Sequence, residues 1–145
     1  AMQSGDMAGL VSLGVTYGAV VIAKGSDAYV IKLIHGKQHF DKEEASAEDI
    51  ITEVKRLPLT VKEIYFNNTV KKVPSTEYNQ DGPYKFPIPA EVISLGYSID
   101  GGDFEDIYSY PSEAGRWVGV KNGLFCCHKG SGEAGEVRVS YFHFV

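Results

Sequence analysis

A chain of 145 residues and 15.9 kDa with 43% hydrophobic residues fills one core and leaves no room for a second folded unit. Nineteen acidic side chains against fourteen basic ones give a net charge of −5. No run of lysine or arginine is present to follow a phosphate backbone or an anionic membrane, so neither nucleic acid nor a membrane is an expected partner. Apolar stretches such as residues 18–23 also fall far short of the roughly 20 residues a spanning helix needs, so the chain reads as a soluble domain.

The opening residues Ala1-Met2-Gln3-Ser4-Gly5-Asp6 lack the basic-then-apolar order of a targeting segment and read, over 1–7, as a tag or flexible leader. Residues 8–145 then form a single domain. Sixteen glycines, nine tyrosines and seven phenylalanines, with apolar residues at every second position, favour an all-β chain. From Val11 the alternation Val11, Leu13, Val15, Tyr17 predicts one face of a strand, with Ser12, Gly14 and Thr16 on the other. A second run covers Ala19 to Lys24. Gly25-Ser26-Asp27 supplies a turn in which glycine can take a positive φ, and Tyr29, Ile31, Leu33 and His35 alternate again. Three such runs in succession suggest an antiparallel meander.

Between Lys42 and Arg56 the residues permit two readings. Ile50, Ile51, Val54 and Leu57 fall at helical spacing behind Ser46 and Asp49, which resemble a capping box, while Ile50 to Val54 also alternates loosely as a strand. Pro58 stops either element. Val61 to Val70 reads as a strand, and Pro74 to Pro89, with four prolines and Asp81-Gly82, reads as a long loop of the kind that carries function. Ile93, Leu95, Tyr97 and Ile99 alternate strictly. Asp100-Gly101-Gly102-Asp103 makes a hairpin-type turn, and Phe104 and Ile107 begin the partner strand. Two more strands are predicted, Trp117 to Cys127 and Glu136 to Val145, separated by the glycine-rich turn Lys129-Gly130-Ser131-Gly132-Glu133. The sum is roughly eight strands at sandwich spacing.

Cys126 and Cys127 are neighbours, a poor geometry for a disulfide, so they read as free thiols on opposite faces of one strand. Without a spaced partner they form no zinc pattern and do not fix the redox compartment.

Three segments form an ordered series: Gly96-Tyr97-Ser98-Ile99-Asp100-Gly101 with Phe104, then Gly115-Arg116-Trp117-Val118-Gly119 through Gly123-Leu124-Phe125-Cys126, and finally Val139-Ser140-Tyr141-Phe142-His143-Phe144. The series resembles the C-terminal β-sandwich of family 43 glycoside hydrolases, the β-xylosidase and α-arabinofuranosidase group, and Ala8-Gly9-Leu10-Val11 is similar to that family's mid-domain strand. The resemblance implies an antiparallel, concanavalin-like jelly roll and a strand around Glu43 to Val54. The family usually has an acidic residue where this chain has Ser140, and the Pro74 to Pro89 loop is longer than the family's. It also implies several dozen residues before the Ala-Gly-Leu strand, so the chain is expected to be a fragment without its first strands. Catalytic carboxylates in the family lie on a separate five-bladed propeller. The chain is therefore expected to be an accessory domain that packs against and completes that propeller, with no catalytic residue of its own.

Other chemistries are weaker. Asp100, Asp103, Glu105 and Asp106 are the densest acidic group; hairpin chemistry explains them better than glycoside hydrolysis, and Asp100 and Asp103 are weak candidates for a calcium cofactor. His35 and His39, with Asp41 following, would place two imidazoles on one helical face if the segment were a helix, but it reads as a strand end and turn. His128 and His143 read as ordinary turn and strand residues. Cys126 or Cys127 beside His128 suggests a thiol–imidazole pair, but sequence neighbours on a strand diverge. Sugar rings present apolar faces to aromatic side chains, so Tyr78, Tyr84 and Phe86, interleaved with Asn79, Gln80 and Asp81, and Trp117 after Arg116 are the candidate carbohydrate-binding residues. Xylo- or arabino-oligosaccharides are the ligands that reading implies, as a stand-alone binding module. An incomplete sandwich also leaves an open sheet edge, through which self-association is expected.

Overall fold

The computed structural model describes residues 1–40, 45–73, 90–113 and 120–143. Among these the regular elements are eight strands and no helix: β1 (Asp6–Leu13), β2 (Thr16–Lys24), β3 (Tyr29–Phe40), β4 (Ala45–Leu57), β5 (Ile64–Val73), β6 (Ala90–Ile99), β7 (Glu105–Pro111) and β8 (Lys121–His128). They form two antiparallel sheets, one of five strands in the order β4-β3-β2-β1-β8 and one of three in the order β5-β6-β7. The meander expected at the start of the chain is present and continues into β4.

The segment left open between helix and strand is the strand β4, paired with β3 along its whole length from Tyr29↔Leu57 to Phe40↔Ala45. Pro58 follows its last residue, as a residue without an amide donor must at the end of a ladder. The single strand read from Val11 to Tyr17 is instead a hairpin: the ladder runs from Met7↔Ala23 to Leu13↔Tyr17 and the chain reverses between them. Gly14 allows this reversal, because its N–H donates to the Thr16 carbonyl at 3.2 Å and a Cβ there would lie 2.5 Å from the Glu113 carbonyl oxygen. The apolar period runs through the turn by coincidence, and the buried face of β1 is Ala8, Leu10 and Ser12, with Leu13 at the exposed end.

At the second turn the Gly25 N–H donates to Ala28 at 2.9 Å, and Gly25 has no positive φ. Positive φ is used where the β6–β7 hairpin needs it, at Asp100 (48°) and Gly101 (78°), with Gly102 N–H donating to the Ile99 carbonyl at 3.0 Å. Two successive left-handed residues match the twist of the strands they join.

The core lies between the sheets: Leu10, Val20, Ile22, Ile31, Leu33 and Leu57 from one side, and Ile93, Leu95, Tyr97 and Tyr110 from the other. Strand β1 faces β5 and β2 faces β6. Met2, among the residues read as a leader or tag, is part of this core and only 8% exposed, while Ala1, Gln3 and Ser4 are exposed.

The expected strand Glu136 to Val145 is absent from the described residues 136–143. The alternation of Val137, Val139 and Tyr141 is there, yet all three are exposed and join no ladder. A period of two is necessary for a strand but needs a neighbouring edge to supply hydrogen bonds. The segment is held instead by single contacts: Glu136 N–H to the Ala1 carbonyl at 3.3 Å and the Tyr141 ring 6.2 Å from that of Tyr65.

Candidate functional site

Three polar constellations are built, the first two where the sheets meet and the third at the β1–β8 side of the larger sheet. The first joins β4, β6 and β7. Tyr97, almost wholly buried, donates its hydroxyl to Glu105 Oε2 at 2.8 Å, and Lys55 Nζ lies 3.1 Å from Glu105 Oε1. The Tyr97 hydroxyl and, next, the Lys55 ammonium hold the Glu105 carboxyl below the usual carboxylate range. Burial and then the Glu105 charge push Tyr97 up, while Glu105 and Tyr97 raise Lys55.

The second is an aromatic row on β7 against β3 and β2. The His35 and Tyr108 rings stack with centroids 4.5 Å apart, the Tyr108 hydroxyl is 3.1 Å from His35 Nδ1, and Tyr108 stacks in turn on Tyr110 at 5.5 Å. The Tyr110 ring fits because Gly18 has no side chain: a Cβ there would lie 2.8 Å from Tyr110 Cε1 and 2.9 Å from Leu95 Cδ1. On the opposite face of the five-stranded sheet, Tyr17 donates to Asp49 Oδ1 at 2.5 Å. Burial, then the Asp49 carboxylate, pushes Tyr17 up to about 12.

The third ties the start of the chain to β8 and the segment after it. Asp6 is buried at the start of β1; its Oδ1 is 2.7 Å from His128 Nδ1 on β8, and its Oδ2 accepts from Gln3 N–H and, at 3.0 Å, from Gly135 N–H. The Gln3 amide first and the His128 ring second lower the Asp6 pKa. Beside this cluster an open cleft of about 750 Å³ is lined by residues 3–5 and 129–134.

The residues expected to carry chemistry fall as follows. Tyr78, Tyr84, Phe86 and Trp117 lie outside the described residues, as do the Pro74 to Pro89 loop and Asp41. Asp100 ties its turn to the segment before β5: Oδ1 accepts from the amides of Lys62 (3.4 Å) and Glu63 (3.1 Å), while Asp103 is exposed on the loop before β7. Among the described residues no three His, Cys, Asp or Glu side chains converge as a metal site would require. His35 and His39 sit on one strand four residues apart, about 13 Å along it, too far to share an ion. Cys126 and Cys127 are free, and their register partners Ala8 and Met7 place them on opposite faces of β8, as their adjacency predicted. His128 turns to Asp6 rather than to either thiol.

Asp6 and Lys55 gave no sequence signal, and Tyr97 was legible as a strand residue but not as a member of a polar site. Asp6 and His128 are 122 positions apart and meet only because β1 and β8 are neighbours. Glu105 was visible as one of an acidic group, and its partners were not.

Chemically, both shifted carboxyls are held ionised, which suits charge pairing and hydrogen-bond acceptance. A glycosidase's general acid needs the reverse, a carboxyl with a raised pKa. Two antiparallel sheets closed over one apolar core, with their carboxylates engaged in holding strands together, define a concanavalin-like β-sandwich domain. Over residues 1–145 the sequence matches the beta xylosidase C-terminal concanavalin A-like domain, and the chain belongs to that family of glycoside hydrolase family 43 C-terminal domains. No curated protein and no solved structure matches it. The ordered series that suggested the family from sequence is thereby borne out.

Proposed function

We propose that this domain is the non-catalytic accessory part of a xylan- or arabinan-degrading glycoside hydrolase, packing against a separate catalytic propeller and completing it. Family membership over the whole chain carries the reading. The direction of the Glu105 and Asp6 shifts supports it, since both groups are built to stay charged and to join strands.

The test is to combine the chain with a separately produced family 43 propeller and follow hydrolysis of aryl xyloside and arabinoside substrates. The expected result is co-elution with the propeller, higher turnover in its presence, and no reducing ends released by the chain alone. Hydrolysis by the chain alone would overturn the proposal. Calorimetry with xylo- and arabino-oligosaccharides separates the binding-module alternative: saturable heat abolished by Tyr84→Ala would move the assignment to direct sugar recognition at Tyr78, Tyr84, Phe86 and Trp117.

A further inference from the structure

Among the described residues strand β4 is the outer margin of the five-stranded sheet, and the side turned away from β3 carries a row of backbone donors and acceptors that no described strand pairs with. It is 13 residues long and contains no proline. Ile50 and Ile51 point to opposite faces of it and are 53% and 52% exposed, so apolar surface flanks the open edge on both sides. Such an edge is a template for strand addition unless a charge pattern excludes it.

The charge pattern here selects a particular partner. Asp49 registers with Gly36 and Arg56 with Val30. Those two β3 positions are six apart, so Asp49 and Arg56 share one face even though they are seven apart on β4. The register shift at Ile31/Lys32, which leaves Val54 as an extra residue, makes this possible. The face thus carries Asp49 toward the start of β4 and Arg56 toward its end, with Glu53, in register with Lys32, between them beside Arg56. An antiparallel copy of the same strand, related by a twofold axis near Thr52, sets Asp49 of each chain against Arg56 of the other. A parallel copy would set like against like. Both groups can take part: Asp49 is exposed and, although its Oδ1 accepts from Tyr17, keeps its charge and its second carboxylate oxygen for a partner, and the ion pairs of Arg56 with Asp27 (3.3 Å) and Glu53 (3.7 Å) are solvent-exposed and weak.

We propose that β4 is a self-association edge, at which two copies of this chain join their five-stranded sheets antiparallel across a twofold axis near Thr52, with Ile50 and Ile51 at the centre and Asp49–Arg56 pairs at either side.

The test is light scattering coupled to size-exclusion chromatography, with sedimentation equilibrium, over a wide concentration range. A dimer mass is expected, weakened at least about tenfold in Kd by Ile51→Lys and by Arg56→Glu, and recovered when Arg56→Glu is combined with Asp49→Arg. Far-UV circular dichroism reports whether each variant is folded. Where one is not, amide hydrogen exchange of the unsubstituted chain decides, because protection along β4 must rise with concentration. A monomer mass at every concentration overturns the proposal. So does a dimer indifferent to folded variants at Ile51 and Arg56, or exchange along β4 that does not change with concentration.

Discussion

The Tyr110 hydroxyl donates to the Ser12 carbonyl at 3.1 Å across the core, joining the last strand of the three-stranded sheet to β1 of the other. The bond is buried, and the Tyr110 ring reaches it by lying over Gly18. Sheet packing here thus depends on a hydroxyl at one position and the absence of a side chain at another.

Tyr110→Phe should lower stability by about 1 kcal/mol, since a buried acceptor loses its donor while the ring still packs. Gly18→Ala should cost more, ~1–3 kcal/mol, because its Cβ meets two core side chains at contact distances that require movement. Urea titration followed by far-UV circular dichroism measures both, and equal slopes for the variants would show that only stability has changed.

The β6–β7 turn distinguishes two adjacent glycines. Gly101→Val should destabilise by ~1–2 kcal/mol through its left-handed backbone alone, because nothing lies within 4 Å of the added Cβ. Gly102→Ala has no such backbone demand and meets only the Ile99 carbonyl oxygen at 3.3 Å, so it should cost less. Equal losses for the two would contradict the turn geometry.

Asp6 gives the fold an acid limit. Its pKa is lowered in the folded state, so the unfolded chain binds the proton more readily and stability rises with pH through this range. The contribution is complete above the ordinary aspartate value of about 3.9 and disappears as pH falls through the lower folded value. Asp6→Asn should therefore be less stable than the parent near neutrality and show a flatter loss of stability on acidification. Glu105 acts in the same direction and supplies the residual slope.

Tyr17 marks the alkaline side. Its pKa is pushed up to about 12, so its contribution is full below the ordinary tyrosine value of about 10 and is lost as pH rises through 12. Tyr97 and Tyr110 are raised as well, so ultraviolet difference titration should show one late-ionising tyrosine fewer in Tyr17→Phe than in the parent. Asp49→Asn should bring the same titration to lower pH, leaving the part due to burial.

The alternation on β6 was legible because Ile93, Leu95 and Tyr97 face a core while the turn that follows has an unmistakable Asp-Gly-Gly order. The family was legible from motif order. The hairpin at Gly14 was not, because Val11 to Tyr17 keeps one period through a reversal and only the Glu113 carbonyl, almost a hundred residues away, shows why the glycine is there. Glu136 to Val145 failed in the opposite sense: its period is that of a strand, but a ladder depends on an available edge, which periodicity does not record. The polar sites were hidden for a similar reason. Asp6 with His128 and Lys55 with Glu105 are made by strand order, and a lone aspartate or lysine in the sequence carries no mark of its partner.

Asp6 also determines how this domain can be wired to anything else. By gathering Gln3, His128 and Gly135 it brings Ala1 beside Glu136, so the start of the chain and the segment that follows β8 meet at the β1–β8 side. Strand β4 lies four strand spacings from β8, about 19 Å across the sheet. A covalent neighbour joined at Ala1 and a second copy joined at β4 would use opposite margins of one sheet, so tethering on one flank leaves the other unobstructed.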